Sequence, residues 1–208
     1  MTQKIPFRLS FKDYKPLPTE IITGMTANYS MTHLINMMGK NIIYLETGVN
    51  KGSSISAILQ RCPNIAYAIG IDFYEPHIDE FEKKHLQEIT KEKVTNAFSR
   101  AKHRIRASGH KDKVELILEH TRRVAPSIKD ESIDFVFLDH YINSSDVEEA
   151  CYLYYNKVKK GGYFAGHDYV YKGVSEPINR FREDNSITSP LSVFGAEWVW
   201  KKEENICI

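Results

Sequence analysis

Cysteine is scarce in this chain, and its placement argues against a disulfide-stapled or cysteine-ligated zinc protein. The three cysteines among 208 residues are Cys62, Cys151 and Cys207. They lie far apart and show none of the paired spacings that are typical of metal or redox sites. Such usage is typical of a reducing compartment, where a thiol serves as a small core residue or lies at the surface.

Long apolar runs are missing as well. No window approaches the roughly 20 apolar residues that a membrane span requires. Residues 1–15 contain no continuous apolar block, so we expect no signal peptide. The sequence therefore predicts a soluble, cytoplasmic protein without a membrane partner.

An excess of charge of either sign is also absent. The chain has 28 Lys and Arg against 27 Asp and Glu, a formal net charge of +1, so nothing global attracts it to nucleic acid. The basic run RAKHRIR at 100–106 falls in a charged, helical pattern and is interpreted as a solvated helix face. Hydrophobic residues make up 42% of the chain, which is enough for a full core. We expect a folded protein with no nucleic-acid partner.

Short apolar runs alternate with helical patterns along most of the chain. The predicted strands are 41–46, 64–72, 113–118, 133–139 and a run entered through a turn within 159–169. The predicted helices are one or two within 19–38, then 53–61, a charged stretch over about 78–108, 144–158 with Ser144 or Ser145 as N-cap, and 174–184. The segment 191–202 is typical of a closing hairpin.

This order predicts the fold class. Strands that alternate with helices and are apolar on both faces favour a doubly wound, mainly parallel sheet covered on both sides. We predict an α/β, Rossmann-like sheet of seven strands with an antiparallel C-terminal edge. Residues 1–40 would form an N-terminal arm and helical lid, and residues 41–208 one domain with an insertion at about 75–110. The N-terminal helices could instead mediate a homodimer.

The stretch IIYLETGVNKGSSISAIL, residues 42–59, holds the first candidate binding site. Glu46 and Gly48 end a strand, and Gly52 and Ser53 open a helix, with a spacing that differs from the Gly-x-Gly-x-x-Gly of dinucleotide-binding folds. A carboxylate beside bare backbone suits a ligand with a cationic amino-acid end. Asp72 follows at the end of the next strand, where an acid accepts hydrogen bonds from a ribose. Together they indicate S-adenosylmethionine, although a plain tight turn and a loop-capping Asp72 are alternatives.

The later half carries a family resemblance. The segments FVFLDHYINSSDV and NKVKKGGYFAGHDYVYKGV resemble class I S-adenosylmethionine-dependent methyltransferases of the small-molecule O-methyltransferase branch, and VFLDH resembles the metal-binding segment of catechol O-methyltransferase. The likeness runs from about residue 41 to residue 168. It implies that the cofactor is held by Glu46, Gly48, Gly52, Ser53, Asp72, Phe73, His120, Thr121 and Asp139. The family more often has an acid where His120 stands.

Strand ends four and five should supply the reactive groups. By the resemblance, Asp139, His167 and Asp168 would hold a divalent metal that orients the acceptor hydroxyl and lowers its pKa. A histidine ligand shifts the preference from Mg²⁺ toward Mn²⁺, Fe²⁺ or Zn²⁺, and metal-free acid–base or purely structural roles stay open. The lysine base of catechol O-methyltransferase is replaced by Ile142, so His140, His167 and Tyr169 are the candidate bases, and the two histidines are favoured because their ordinary pKa lies near neutral pH.

These features predict transfer of a methyl group from S-adenosylmethionine to a hydroxyl of a sugar, phenol or other natural product. The alternative is a non-catalytic or partner-dependent binding protein with a methyltransferase fold. A nucleic-acid methyltransferase is disfavoured because no Asn/Asp-Pro-Pro-Tyr signature is present, and an NAD-dependent oxidoreductase because the glycine spacing is wrong. The acceptor, the metal requirement, the base and the oligomeric state are left open by the sequence.

Overall fold

The structure, a computed structural model, describes residues 29–73, 91–140 and 143–203. The strands are β1 Ile42–Thr47, β2 Ile65–Asp72, β3 Val114–Leu118, β4 Ile133–Leu138, β5 Val158–Gly166, β6 Ser192–Phe194 and β7 Glu197–Lys201. The helices are α1 Tyr29–Met37, α2 Ser53–Arg61, α3 Lys91–Ala107, α4 Thr121–Val124, α5 Ser144–Tyr155 and α6 Lys172–Asp184, with short 3₁₀ turns at Lys111–Lys113 and Ala125–Ser127.

All seven strands form one sheet in the order β3-β2-β1-β4-β5-β7-β6. The five strands from β3 to β5 are parallel, whereas β7 runs antiparallel to β5 and β6 antiparallel to β7. The predicted doubly wound sheet with an antiparallel C-terminal edge is confirmed.

The central strands are buried on both faces, which explains their continuous apolar sequences. Residues of β1 and β4 alternate between two cores, with Tyr44 and Phe135 on one face and Leu45 and Val136 on the other. Helices α1, α2 and α3 cover the first face, and α4, α5 and α6 cover the second. The carboxyl ends of the parallel strands therefore lie at one edge of the sheet, between two helical layers.

Two boundaries differ from the predictions. The N-cap of α5 is Asn143, not Ser144 or Ser145, because the Asn143 side-chain oxygen accepts from the Asp146 backbone N–H at 3.1 Å. The predicted turn before strand five lies inside β5, since the strand begins at Val158 and absorbs Gly161 at φ 79° with a register shift against β4.

Parts of two predictions fall on residues that the structure does not describe. Residues 1–28 of the N-terminal arm and helical lid and residues 74–90 of the insertion lie outside the described residues, so the lid and the domain boundaries stay predictions. The described part of the insertion forms α3. In the portion of the chain that the structure covers, no helix is long and apolar enough to cross a bilayer.

Candidate active site

The candidate site lies where the carboxyl ends of parallel strands meet. β1 has β2 on one side and β4 on the other, so the chain order reverses at β1. In open α/β sheets, ligands bind in the crevice that this reversal opens. The predicted residues end or follow these strands: Glu46 and Gly48 at β1, Asp72 and Phe73 at β2, His120 and Thr121 after β3, Asp139 and His140 after β4, and His167 and Asp168 after β5.

Packing against neighbouring backbone requires both glycines of the loop after β1. Gly48 has φ 83° and Gly52 φ 74°, in the left-handed region that favours glycine. A Cβ on Gly48 would lie 2.0 Å from the Asp139 carbonyl oxygen, and a Cβ on Gly52 would lie 2.9 Å from the Ala101 Cα in α3. The loop is thus clamped between the end of β4 and α3.

The amides of these glycines are occupied within the protein. The Gly48 N–H donates to the Ile71 carbonyl at 2.9 Å, and the Gly52 N–H donates to the Val49 carbonyl at 2.8 Å. The tight-turn interpretation therefore accounts for both glycines. Their contact with a cofactor stays a prediction, and it would have to use atoms other than these two N–H groups.

Glu46 is a fully buried acid with one satisfied oxygen. Its Oε2 accepts a hydrogen bond from the Tyr44 hydroxyl at 2.7 Å and another from the Ser54 hydroxyl at 3.1 Å. Its Oε1 is buried without a hydrogen-bond partner in the described structure. Burial away from water raises the pKa of Glu46 to about 8, against its hydrogen bonds and with the help of the Asp139 charge. An unsatisfied buried oxygen costs about 1–3 kcal/mol, which a ligand donor could recover.

The two serines that open α2 have different environments. Ser53, the predicted cofactor residue, is exposed, and its hydroxyl contacts the Arg104 guanidinium of α3. Ser54 is the residue that reaches Glu46. The structure therefore brings Ser54, rather than Ser53, into contact with the buried acid.

Asp72 closes the loop from the β2 side. Its Oδ2 accepts from the Asn50 backbone N–H at 2.7 Å, so the loop-capping role of Asp72 is present in the structure. Next to it, the Phe73 and His120 rings lie 5.4 Å apart, centroid to centroid. The His120 Nδ1 also accepts from the Arg122 N–H as the N-cap of α4. The residues that the resemblance assigns to the ribose and the adenine thus lie next to each other, and their contacts with a cofactor stay predictions.

Asp139, His167 and Asp168 form a cluster at the ends of β4 and β5. The His167 Nδ1 lies 2.9 Å from an Asp168 oxygen and 3.6 Å from an Asp139 oxygen. One potential ligand atom from each residue falls within 4.8 Å of the other two. The cluster forms because β4 and β5 are paired in parallel, with Leu138 opposite Gly166. Convergence of the three predicted side chains is confirmed.

The groups of this cluster shift one another's pKa values. Burial raises the pKa of Asp139 to about 7, the His167 charge opposes that rise, and the Asp168 and Asp72 charges add to it. The hydrogen bond to Asp168 raises the pKa of His167 above its ordinary value of 6.5, although burial opposes the change. Asp168 has φ 63°, a left-handed conformation that aspartate tolerates better than most residues.

His140, the other candidate base, is enclosed by hydroxyl groups. Its Nδ1 lies 2.5 Å from the Thr47 hydroxyl and its Nε2 lies 3.4 Å from the Thr121 hydroxyl. Both threonines are buried. His140 therefore joins the ends of β1 and β4 to the start of α4, which fits a structural role better than a proton-transfer role.

An apolar cleft adjoins both histidines on the α5–α6 side of the sheet. His140 and His167 lie at its polar part. The remaining lining residues are Leu138, Val147, Ala150, Val174 and Trp198. The Trp198 indole N–H donates to the His167 carbonyl at 3.1 Å, which fixes the backbone of His167. The reactive cluster thus has an apolar wall on one side.

The methyltransferase domain family matches residues 45–169, which include the loop after β1 and the ends of β2, β4 and β5. The chain belongs to this methyltransferase family. No curated protein matches this chain.

Solved O-methyltransferases share its fold. The O-methyltransferase NovP has 14% identity and a TM-score of 0.63, over 84% of this chain and 78% of NovP. TomG of Streptomyces achromogenes, solved with S-adenosylmethionine, has 15% identity and a TM-score of 0.60, over 86% of this chain and 81% of TomG. An O-methyltransferase of Bacillus cereus, solved with S-adenosylhomocysteine, has 16% identity and a TM-score of 0.57, over 90% of this chain and 83% of that enzyme. At these identities the likeness concerns the fold.

Sequence reasoning missed the two side chains that donate to Glu46. The pattern places Tyr44 on a strand and Ser54 on a helix, without a role for either side chain. The period of two along a strand could have placed Tyr44 on the same face as Glu46. Nothing in the sequence indicates that α2 turns Ser54 toward that acid and Ser53 away from it.

Proposed function

We propose that this protein transfers a methyl group from S-adenosylmethionine to a hydroxyl of a small molecule. The observation that carries the proposal is the Asp139, His167 and Asp168 cluster, set beside an acid-lined loop in a methyltransferase fold. A protein that only bound the cofactor would not need a hydrogen-bonded histidine–carboxylate group at the next strand ends.

The acids of the site fit the methyl donor. S-adenosylmethionine carries a sulfonium, an ammonium and a ribose diol, and it supplies an already activated methyl group. The unsatisfied Oε1 of Glu46 suits the ammonium, and Asp72 suits the ribose at the end of β2. Phe73, His120 and Thr121 are proposed to flank the adenine, and contact between the Phe73 and His120 rings supports this assignment. Asp139 adds negative charge between Glu46 and the His167–Asp168 pair.

His167 is the proposed proton acceptor. Because its Nδ1 donates to Asp168, its Nε2 is left as the basic atom of the imidazole. The proton of the acceptor hydroxyl moves to Nε2 while the oxygen forms its bond to the methyl carbon and the sulfur–methyl bond breaks. Asp168 and Asp139 stabilise the resulting imidazolium. The apolar side chains beside His167 would help to exclude water from the reacting atoms.

The same cluster could instead bind a divalent metal. Two carboxylates and one imidazole within 4.8 Å fit the ligand preferences of Mn²⁺, Fe²⁺ or Zn²⁺ better than those of Mg²⁺. Metal at this position would replace the proton shared by His167 and Asp168, orient the acceptor oxygen and lower its pKa. If methyl transfer requires a divalent metal such as Mg²⁺ or Mn²⁺, Asp139, His167 and Asp168 are its proposed ligands.

Calorimetric titration with S-adenosylhomocysteine, repeated with EDTA and with added Mg²⁺ or Mn²⁺, tests the proposal first. We expect binding in every condition, since the donor pocket does not include the metal. Methyl transfer to a panel of phenols and sugars then follows under the same conditions. Binding without transfer to any acceptor would favour the non-catalytic alternative. Absence of binding in all conditions would overturn the proposed function.

A further inference from the structure

We propose that Tyr44 is a positioning residue for the methyl donor: its hydroxyl, together with that of Ser54, holds one oxygen of Glu46 and reserves the other for the donor's ammonium group. The inference rests on the proposed use of S-adenosylmethionine and assigns a role to a core tyrosine that makes no contact with solvent. Tyr44 would act only through Glu46, so it is not a catalytic residue.

The geometry is specific to one oxygen. Tyr44 and Glu46 are two residues apart on β1 and therefore share a face of the sheet. Ser54 approaches from α2, and both hydroxyls donate to Oε2 of Glu46. Two donors on the same oxygen fix the carboxyl plane, and Oε1 stays without a partner although it is excluded from water. The buried Oε1 is therefore unsatisfied until a donor from a ligand reaches it.

The surroundings of Glu46 contain acids and hydroxyls. On β1 the neighbour is Tyr44, α2 contributes Ser54 and the Ile55 backbone N–H, and beyond the end of β4 the charge of Asp139 acts on Glu46. The β2 residue paired with Glu46 is Gly70, which has no side chain. A cationic group of the ligand therefore matches what this environment lacks.

The protonation state of Glu46 should make its affinity for an ammonium group depend on pH. Burial raises the pKa of Glu46 to about 8, while the Tyr44 hydrogen bond lowers it toward its ordinary value. An ammonium group binds the carboxylate and not the protonated acid, so binding near neutral pH should release a proton, and affinity should rise with pH until Glu46 is ionised. Removal of the Tyr44 hydroxyl raises the pKa of Glu46 further and moves this rise to higher pH.

The experiment compares Tyr44→Phe with the unchanged protein by calorimetric titration with S-adenosylhomocysteine, from about pH 6 to about pH 9 in two buffers of different ionisation enthalpy. We expect Tyr44→Phe to bind up to about tenfold more weakly near neutral pH for each unit by which the pKa of Glu46 rises. The deficit should shrink at the alkaline end. Proton release near neutral pH should persist in Tyr44→Phe and vanish in Glu46→Gln.

Tyr163→Phe is the matched control. Tyr163 is a buried tyrosine of the same core, on β5, and it packs on Phe135 as Tyr44 does. Its loss of a hydroxyl should leave the affinity and its pH dependence unchanged. Thermal unfolding of both variants shows whether they are equally folded.

Each outcome decides between the inference and the function. No binding by the unchanged protein overturns the proposed function, and the role of Tyr44 falls with it. Binding by the unchanged protein with an identical profile for Tyr44→Phe overturns the inference alone. An equal loss of affinity at every pH would mean that Tyr44 only packs, and would also overturn it. A loss confined to the acidic and neutral range supports it.

Discussion

The two ends of this site use carboxylates in opposite ways. At the donor end, Glu46 is fully buried and is bonded only by uncharged donors, the Tyr44 and Ser54 hydroxyls and the Ile55 backbone N–H, and burial raises its pKa to about 8. At the reactive end, Asp139 and Asp168 keep about 29% of their side-chain surface exposed and share a histidine. Glu46 is therefore mostly protonated at neutral pH, whereas at the other end the His167 charge counters the burial that raises the pKa of Asp139 to about 7.

The difference indicates a division of labour. A buried acid that lacks a positive partner gains most from a ligand that brings one, so it is suited to binding. An acid that already orients a histidine is suited to proton transfer or metal binding. The ends meet at Gly48, whose Cα packs on the Asp139 carbonyl. A substitution should therefore affect cofactor binding, turnover or both, according to the end at which it lies.

Asp168→Asn should produce the largest effect, confined to the reactive end. Asparagine tolerates the left-handed conformation at φ 63°, so the backbone should be preserved while the charge that supports His167 is lost. We expect turnover to fall by about 10²–10⁴-fold, the usual contribution of a positioned acid–base group. Affinity for S-adenosylhomocysteine should change by less than about threefold, below 1 kcal/mol.

Steady-state kinetics and calorimetry on the same preparations check this separation. His140→Gln is the companion variant, because His140 lies between two threonines and not in the cluster. His140→Gln should lower the free energy of unfolding, and it should lower turnover by less than Asp168→Asn does. Parallel losses of cofactor affinity in Asp168→Asn and in a donor-end variant would refute the division.

Gly48→Ala should damage both ends together. The added Cβ would lie 2.0 Å from the Asp139 carbonyl oxygen, on a residue with φ 83°. We expect a loss of more than about 2 kcal/mol in the free energy of unfolding, from strain and displaced backbone. Gly195→Ala isolates the conformational part, since Gly195 has φ 63° with open space around its Cβ position. Chemical denaturation of both proteins measures the difference, and equal losses would mean that the contact with Asp139 is unimportant.

Asp72→Ala should act mainly at the donor end, although it also removes one of the charges that raise the pKa of Asp139. It removes the proposed ribose acceptor and also the acceptor of the Asn50 N–H, so we expect affinity for S-adenosylhomocysteine to fall about 10–100-fold, the loss of one or two hydrogen bonds to a charged group. Asp72→Asn retains an oxygen for Asn50 and should recover part of that loss. If both variants bind normally, Asp72 only caps the loop.

The strands of the sheet could be predicted because a short apolar run is visible in the local sequence. The apolar runs at 41–46 and 133–139 differ by one residue at their ends from β1 and β4. Their parallel pairing follows from the helices between them. Polar residues at neighbouring strand ends then had to converge, which is why the Asp139, His167 and Asp168 cluster could be predicted without coordinates.

Partners of individual side chains could not be predicted in the same way. Whether His140 or His167 faces the acids depends on small differences in strand register and on the approach of α4, neither of which leaves a periodic signal. The burial of Glu46 depends on α2 and β1 together. The resemblance named the acid but gave no reason to expect Tyr44 and Ser54 as its hydrogen-bond donors.

Glu46→Gln should stabilise the free protein in a pH-dependent manner. The pKa of Glu46 is about 8 in the folded state and near 4.5 in the unfolded state, so between these values the folded state binds more protons and stability falls as pH rises. Glutamine does not titrate. The variant should therefore gain melting temperature relative to the parent as pH increases through this window, by at least about 2–4 °C at pH 8 if 1 kcal/mol is recovered. A constant difference from pH 5 to pH 8 would show that Glu46 is ionised in the folded protein.

Ser54→Ala should cause the smallest of these changes in affinity for the cofactor product. Ser54 donates to the Oε2 of Glu46, whereas Ser53, one residue earlier, contacts Arg104 at the surface. Loss of a single neutral hydrogen bond costs about 0.5–1.5 kcal/mol, so Ser54→Ala should weaken S-adenosylhomocysteine binding about 2–10-fold. Ser53→Ala, at the position that the sequence favoured, should bind normally. Titration calorimetry of the pair decides between them, and a deficit in Ser53→Ala with normal binding by Ser54→Ala would move the cofactor contact to the exposed serine and remove Ser54 from the support of Glu46.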